Sequence, residues 1–468
     1  MKNKNLWLSL LIFIGVMFLL TWVIPSTSYN DSGALVLGNI KPTGIWDVFY
    51  YLSMLPAWFG QNFIFVLIVG VFYGVINKTG ALRSLVERVS AYFKKREKLF
   101  LLISSSSFIL IAGLTGIDFP LLVFVPLFMA IILKMGYSKI TALVATIGSI
   151  LVGIMGSLYS VTLFSAIASY VDAGITYGWY KFGLIVVGLL ITELYLYFKA
   201  DILKGKNKVE LNEEMLFIEK EEGSKTQKIW PLVTTFILIL VFYILGLTPW
   251  SNMYSFAGFE NFHNSLMEVH IGNFAVFKSF LGNSLASLGT WTIADACSLI
   301  LIFAAVLVLA YKVKWEEAYK GIISGLTKML PTAMLVLVAS LAFVIVSQSG
   351  ALNTVIKVLA EITEGINVFT YSLASFIGAA LVNDVYITSY ITGILSTVLG
   401  ESANMPLLIL IQQVMYGLAM LTVPTSVILL AGLSYLEVGY TEWLKNIWKF
   451  LLILAAASIL ILVLAVVL

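Results

Sequence analysis

The chain has 468 residues, of which 60% are hydrophobic and 11% charged, with a formal net charge of +3. A soluble protein carries about 25% charged residues, so the composition excludes a soluble globular fold and points to an all-α polytopic membrane protein. One cysteine, Cys297, excludes an internal disulfide and most metal sites.

Lys2 and Lys4 precede an apolar run, Leu6–Ile24, too long for the core of a signal peptide. It reads as a first span with the N-terminus inside. A short external segment leads through Gly44-Ile-Trp-Asp47, and Tyr51–Ile76 returns to the cytoplasm, where Lys78, Arg83, Arg88 and a basic cluster at 94–98 accumulate. Leu82–Phe93 is amphipathic and is expected along the interface. Next, Leu99–Leu114 and Phe119–Leu133 flank Thr115, Gly116, Asp118 and Pro120. Each run is too short for a ~30 Å hydrocarbon core, and lysines stand at both outer ends. The pattern predicts a re-entrant hairpin over 99–134, opening to the cytoplasm, with its polar tip buried at membrane depth.

Thr141–Tyr170 crosses outward through a small polar knot, Gly156-Ser-Leu-Tyr-Ser160, and Trp179–Phe198 comes back. A charged cytoplasmic linker, 199–228, with seven lysines and seven acidic residues, divides the chain into a first half, 1–198, and a second, 229–468. Trp230–Leu247 crosses outward, an aromatic segment Thr248–Thr290 follows outside, Trp291–Tyr311 returns, and Met329–Val346 goes out again. A second hairpin over 371–400 carries Asn383, Asp384 and Thr388 at its tip and is flanked by acidic rather than basic residues, so it opens outward. Leu407–Leu433 crosses through a knot at Thr422-Val-Pro-Thr-Ser426, and Phe450–Leu468 ends outside. The expected total is about nine spans plus two hairpins.

The halves repeat one another. Asp118 to Ser160 is 42 positions, as is Asp384 to Ser426, and Gly80-Ala-Leu82 returns as Gly350-Ala-Leu352. Inverted halves whose broken helices meet at midplane are the architecture of secondary transporters. Half-helix N-termini favour a carboxylate, and freed carbonyls favour Na⁺ or a proton-carrying partner. The candidate substrate-binding residues are therefore Thr115, Ser157, Ser160, Asn383, Thr388, Thr425 and Ser426. Asp118 and Asp384 are the candidate ion-coupling residues, since a charge at mid-membrane costs at least ~2.5 kcal/mol. Asp118 also suits a helix cap ahead of Phe119-Pro120, and the two roles are compatible.

Gln412, Gln413 and Tyr416 lie two to three turns before Pro424 and suit either interhelical bonding or cavity lining. Glu193 reads as a partner for Lys199, the Ser104–Ser107 run as a close-packing surface, and Asp295 as interfacial. His263 and His270 read as surface residues of the external segment. No nucleotide loop, zinc pattern, nucleophile elbow or nucleic-acid signature is present in the sequence, and no polar face runs along several helices as a passive channel needs. The expectation is a transporter rather than an enzyme, working on a small organic acid or amino acid in a lipid bilayer, without a cofactor and with Na⁺ or H⁺ as the coupling ion.

Several stretches carry a family resemblance: Leu20-Thr-Trp-Val-Ile-Pro25 with Tyr29, Gly44-Ile-Trp-Asp-Val-Phe49, Gly74-Val-Ile-Asn-Lys-Thr-Gly-Ala-Leu82, Leu421-Thr-Val-Pro-Thr-Ser426 and Gly439-Tyr-Thr-Glu-Trp-Leu444. In this combination the chain resembles the anaerobic C4-dicarboxylate carrier-like (YfcC/DcuC-like) proteins of bacteria, members of the ion transporter superfamily. The resemblance implies a bacterial inner membrane, a scaffold and a mobile transport domain, elevator-type alternating access, and a homodimer formed through the scaffold. It also implies ion-coupled symport or exchange of a dicarboxylate. Relatives of this group usually carry a glycine-rich tip in the second hairpin, whereas this chain has Val382-Asn-Asp-Val-Tyr386. With no lysine or arginine expected at mid-membrane, amino acids stay open as substrates, including through an arginine/ornithine-type antiport.

Overall fold

The computed structural model describes residues 3–31, 33–158, 177–206, 213–219, 227–361, 367–382, 394, 397–398 and 404–467. Ser160, Asn383, Asp384 and Thr388 lie outside the described residues, as do the second arm of the second hairpin and the end of the crossing expected over 141–170.

Among the described residues the fold is mostly helical, as its composition leads one to expect. Among the described residues, eight helices are long and apolar enough to cross a membrane. The chain runs as α1 (Lys4–Leu20), α2 (Ile45–Thr79), α3 (Ala81–Tyr92), α4 (Glu97–Thr115), α5 (Val125–Lys134), α6 (Lys139–Leu143) and α7 (Ser149–Met155). It continues as α8 (Gly178–Lys206), α9 (Trp230–Leu247), three short helices over 250–281 and α13 (Ile293–Ala310). It closes with α14 (Trp315–Gln348), α15 (Ala351–Glu361), α16 (Val368–Val382), α17 (Met405–Thr422), α18 (Val427–Tyr435) and α19 (Tyr440–Val467). Between α1 and α2 the chain forms an antiparallel pair, Pro25–Tyr29 with Leu35–Ile40. The first of these strands is tied to the start of α15, where Asn353 Nδ2 donates to the Thr27 carbonyl at 2.9 Å.

Two helices dominate the interior. α2 has 35 residues and α14 has 34, so each reaches about 50 Å, well beyond the apolar runs at their centres. They lie along one another and come closest at Gly70 and Gly74 of α2 against Gly321 and Gly325 of α14. A Cβ on Gly74 would stand 2.1 Å from the Gly321 carbonyl oxygen, and one on Gly325 would stand 2.0 Å from that of Gly70. Only hydrogen fits, which is how small residues four apart let membrane helices touch backbone to backbone. α2 also bends at Phe59, three residues after Pro56, where the proline ring cannot sit under a regular turn.

The two arms expected of the first hairpin lie side by side, although α4 is itself one of the eight helices long enough to cross a membrane. Phe128 of α5 meets Phe100 and Phe108 of α4 at ring-centroid distances of 6.0 and 5.1 Å. The return arm begins as a 3₁₀ turn, Phe119–Val123, before α5. α4 is longer than expected, with 19 residues, because Glu97, Lys98 and Thr115 extend it at both ends.

The charged linker is only partly a linker. α8 runs on to Lys206, and Glu213–Glu219 docks onto the helical body. Leu216, Phe217 and Ile218 are buried, with Phe217 against Tyr73 at 5.8 Å. Two of its three acids pair with the helices, Glu213 with Arg83 at 3.3 Å and Glu219 with Lys328 at 3.0 Å.

Candidate functional site

The first hairpin turns at Gly116, whose φ of +73° is left-handed and favours a residue without Cβ. Thr115 Oγ1 donates back to the Ile111 carbonyl at 2.5 Å and accepts from the Ile117 N–H at 3.2 Å. Asp118 is half-buried, and its carboxylate accepts from the Phe119 N–H at 2.6 Å as the cap of the 3₁₀ turn. Phe119 anchors the tip on Phe65 of α2 at 5.3 Å.

The two broken crossings stand beside this tip and beside each other. The first runs through α6, a π-helical turn at Val144–Gly148, and α7. It starts from Ser138, whose hydroxyl accepts from the Thr141 N–H. It ends at Gly156, where a Cβ would meet the Ile185 N–H nitrogen and the Lys181 carbonyl of α8 at 2.7 Å each. The second starts from Asn404, whose side chain accepts from the Leu407 N–H, and breaks at Val423-Pro424 before α18. Ser426 caps α18 by accepting from the Leu429 N–H at 3.3 Å. α7 and α17 pack directly, with Gly417 set against Met155 and Leu151.

Each break is fastened to the inner end of its own hairpin arm. The Leu158 N–H donates to the Gly113 carbonyl at 2.9 Å, and Thr425 Oγ1 donates to the Ala380 carbonyl at 3.2 Å. Both closures join residues 45 apart, and both ends of the second lie 267 positions after those of the first. Equivalent pairs recur elsewhere. Thr79 and Ser349, 270 apart, each bond back three residues and accept from the residue two ahead, at Ile76 and Ala81 and at Val346 and Ala351. The caps Ser138 and Asn404 are 266 apart.

The carbonyls that a broken helix frees are met by side chains from elsewhere. Gln413 on α17 is buried, and its Nε2 donates to the Ser157 carbonyl at 2.5 Å and the Ile154 carbonyl at 3.2 Å. At the second break Trp443 Nε1 donates to the Leu421 carbonyl at 3.0 Å and the Tyr440 hydroxyl to that of Thr422. Gln413 therefore bridges the two broken crossings. Tyr440 and Trp443 belong to the Gly439–Leu444 stretch that carried the resemblance, but their function as donors to the break had no signal in the sequence.

Of the nine candidate residues, Thr115, Asp118, Ser157, Thr425 and Ser426 are described. Ser157, Thr425 and Ser426 are fully buried. Glu193 does not pair with Lys199: its Oε1 accepts from the hydroxyls of Ser105 and Ser106 at 2.6 and 2.9 Å. The serine run is thus more than a packing surface. Asp295 caps α13, accepting from the Thr292 N–H at 2.8 Å. A separate polar cavity of about 250 Å³ opens between α14 and α18, lined by Asn3, Glu214, Lys328, Thr332, Ser434 and Tyr435. Among the described residues, no three histidine, cysteine or acidic side chains converge as a metal site would need.

The C4-dicarboxylate anaerobic carrier (DcuC) family model matches residues 5–467. Two solved structures align over most of the chain: the YdaH transporter of Alcanivorax borkumensis (13% identity, 98% of each chain, TM-score 0.39) and Neisseria gonorrhoeae MtrF, from a class of antimetabolite efflux pumps (12% identity, 98% of this chain and 94% of that one, TM-score 0.40). No curated protein matches. The match over nearly the whole length decides the question: the chain belongs to the C4-dicarboxylate anaerobic carrier family of multi-pass membrane transporters.

Proposed function

We propose that this protein is a secondary active transporter of a small carboxylate-bearing metabolite, with a four-carbon dicarboxylate as the first candidate, coupled to Na⁺, H⁺ or a counter-substrate. The observation that carries the reading is the pair of closures, Gly113 to Leu158 and Ala380 to Thr425. Two hairpin arms, each bonded to a break in a neighbouring crossing, gather helix ends in the manner of transporter sites built from inverted halves. The halves proposed are 1–198 and 229–468, joined by 199–228.

In this reading the N–H groups at the start of α18, behind Ser426, receive a substrate carboxylate, because half-helix N-termini carry positive partial charge. Thr115, Ser157, Ser160, Asn383, Thr388 and Thr425 supply hydroxyl and amide contacts, and Asp118 and Asp384 bind the coupling cation. The glycine-locked α2/α14 pair suits a fixed scaffold, and the hairpins with α7, α17 and α18 suit the part that moves, as an elevator mechanism requires. The proposed orientation, with the N-terminus on the cytoplasmic side of a bacterial inner membrane, is supported by the basic residues of the loops.

The test is uptake into proteoliposomes of labelled four-carbon dicarboxylates, with amino acids as a second arm, under Na⁺, proton and counter-substrate gradients. Wild type accumulates at least one of them, and Asp118→Asn and Asp384→Asn each lose gradient-driven accumulation. Undiminished, still cation-coupled uptake by both variants removes the aspartates from the mechanism. Transport of no small carboxylate under any gradient overturns the reading itself.

A further inference from the structure

Glu193 is a carboxylate that neither the hairpin tips nor the breaks use. It sits on α8, eight residues before Asp201 and fourteen after Trp179, or about 12 and 21 Å from these residues along the helix. That places it inside the hydrocarbon layer, where an ionisable group costs at least ~2.5 kcal/mol and marks a functional site by default. Oε1 receives both serine hydroxyls of α4, but Oε2 is buried with no partner among the described residues. A charge left half-satisfied is the expensive arrangement.

Packing does not account for it. The contact of α4 with α8 has a counterpart in the contact of α16 with α19. Ser372 stands 266 positions after Ser106, and Ile459 stands 266 after Glu193. That pairing carries an isoleucine at the corresponding number, and among the described residues the Ser372 hydroxyl is buried without a partner. The carboxyl is a feature of one half only.

We propose that Glu193 is a proton-binding site between α8 and the first hairpin arm, one that exchanges a proton as the arm moves. The hydrogen bonds supply two states. With the carboxylate ionised, Ser105 and Ser106 both donate to Oε1. When a proton binds Oε1, the new O–H donates to Ser105 Oγ, and the Ser105 hydrogen turns to the Leu101 carbonyl, already at 2.9 Å. One proton is taken up, no other bond breaks, and the grip of α8 on α4 changes from charge-assisted to neutral. Among the described residues no ion pair joins Glu193. The charged groups on the elements packed against α8 are Glu97 and Lys98 of α4, Lys139 of α6, and Glu442, Lys445 and Lys449 of α19, while α7 has none. On α8 itself, Tyr197 lies one turn away and Asp201 two turns away; Lys98 reaches both, bonding Asp201 at 2.6 Å and covering the Tyr197 ring at 4.5 Å. This pair is exposed to solvent.

The link to hairpin movement rests on the transport reading; the protonation does not, and it is measured without transport. Infrared difference spectra of wild type against Glu193→Gln, taken from about pH 5 to 9, show a carboxylic C=O band at the acid end that disappears as pH rises. Ser105→Ala with Ser106→Ala removes both donors to the ionised form and moves the midpoint up by about one pH unit. That double variant also carries the test should Glu193→Gln not fold. In proteoliposomes Glu193→Gln, a mimic of the protonated form, keeps uptake but loses its pH dependence. A band absent at every pH, or unchanged across the range, overturns the proposal, as does a Glu193→Gln uptake profile that tracks wild type. If no substrate is transported, the transport reading fails and the infrared titration still decides Glu193.

Discussion

Replacing Gln413 with leucine tests whether the first break is held open by a donor from the other half. The two side chains are close in size, so little volume changes, and the loss is confined to two hydrogen bonds. The Ile154 carbonyl keeps the Ser157 N–H at 3.2 Å, whereas the Ser157 carbonyl gives up a donor at 2.5 Å where Gln413 is only 3% exposed. Stranding one buried carbonyl costs about 1–3 kcal/mol. The variant should therefore unfold earlier in detergent by that amount, and gradient-driven uptake should fall by about tenfold for each 1.4 kcal/mol taken from the site. Gln413→Glu sharpens the test. An ionised carboxylate offers those carbonyls no hydrogen, while a protonated one offers a single donor, so its defect should shrink as pH falls. If Gln413→Leu unfolds and transports like wild type, the bridge does not hold the break and the site has been built from the wrong contacts.

At the α2/α14 crossing, Gly325→Ala puts a methyl 2.0 Å from the Gly70 carbonyl oxygen, where ordinary C···O contact is about 3.3 Å or more. The helices must part by over an ångström, at a cost of at least about 1–3 kcal/mol. Gly183→Ala, with nothing within 4 Å, should be neutral or stabilising by up to about 1 kcal/mol. Equal thermal unfolding of the two would refute the close crossing. Tyr137, in the turn between α5 and α6, has its hydroxyl pushed up to about 12 by burial, with the carboxylates of Glu97 and Asp201 adding to the shift. Because the folded value is raised, its stabilisation is present below pH 10 and is lost as pH rises through about 12. The wild-type minus Tyr137→Phe absorbance difference should show one tyrosinate forming near 12, and one forming near 10 would contradict the burial.

The turn between α4 and α5 was legible because a single residue type settles the backbone there. Gly116 with Pro120 marked the hairpin tip, and the apolar run between them and Lys134 could form only a short return arm. The sequence reading fell short where a helix outlasts its apolar stretch. α2 and α14 run beyond their apolar stretches, and the glycine contact that brings them together joins residues some 250 positions apart, which no local pattern encodes. Glu213–Glu219 misled for a related reason. Counting charges suggested a solvated linker, but Glu213 and Glu219 meet opposite charges on the helices and three apolar residues between them are buried. Glu193 was assigned to the nearest lysine in sequence. Its actual partners lie 87 and 88 positions away on α4.

The side chains at the two breaks also bear on what the site prefers to hold. An unwound helix offers carbonyl oxygens to a cation and N–H groups to an anion. Here the carbonyls of Ser157, Leu421 and Thr422 already accept from Gln413, Trp443 and Tyr440. Each donor hydrogen brings positive partial charge to the place where a bound cation would have to sit. A carbonyl has a second lone pair, but a cation bound there would face that hydrogen at close range. Among the described residues, the N–H groups behind Ser426 meet no side-chain acceptor but the cap itself. On the proposed reading the breaks favour carboxylates, and the coupling cation is left to the hairpin aspartates. On this argument, substituting Trp443 with phenylalanine frees the Leu421 carbonyl and should weaken discrimination against cations at the second break without weakening binding of a dicarboxylate. Unchanged ion selectivity in that variant would mean the carbonyls were never the contested ligands.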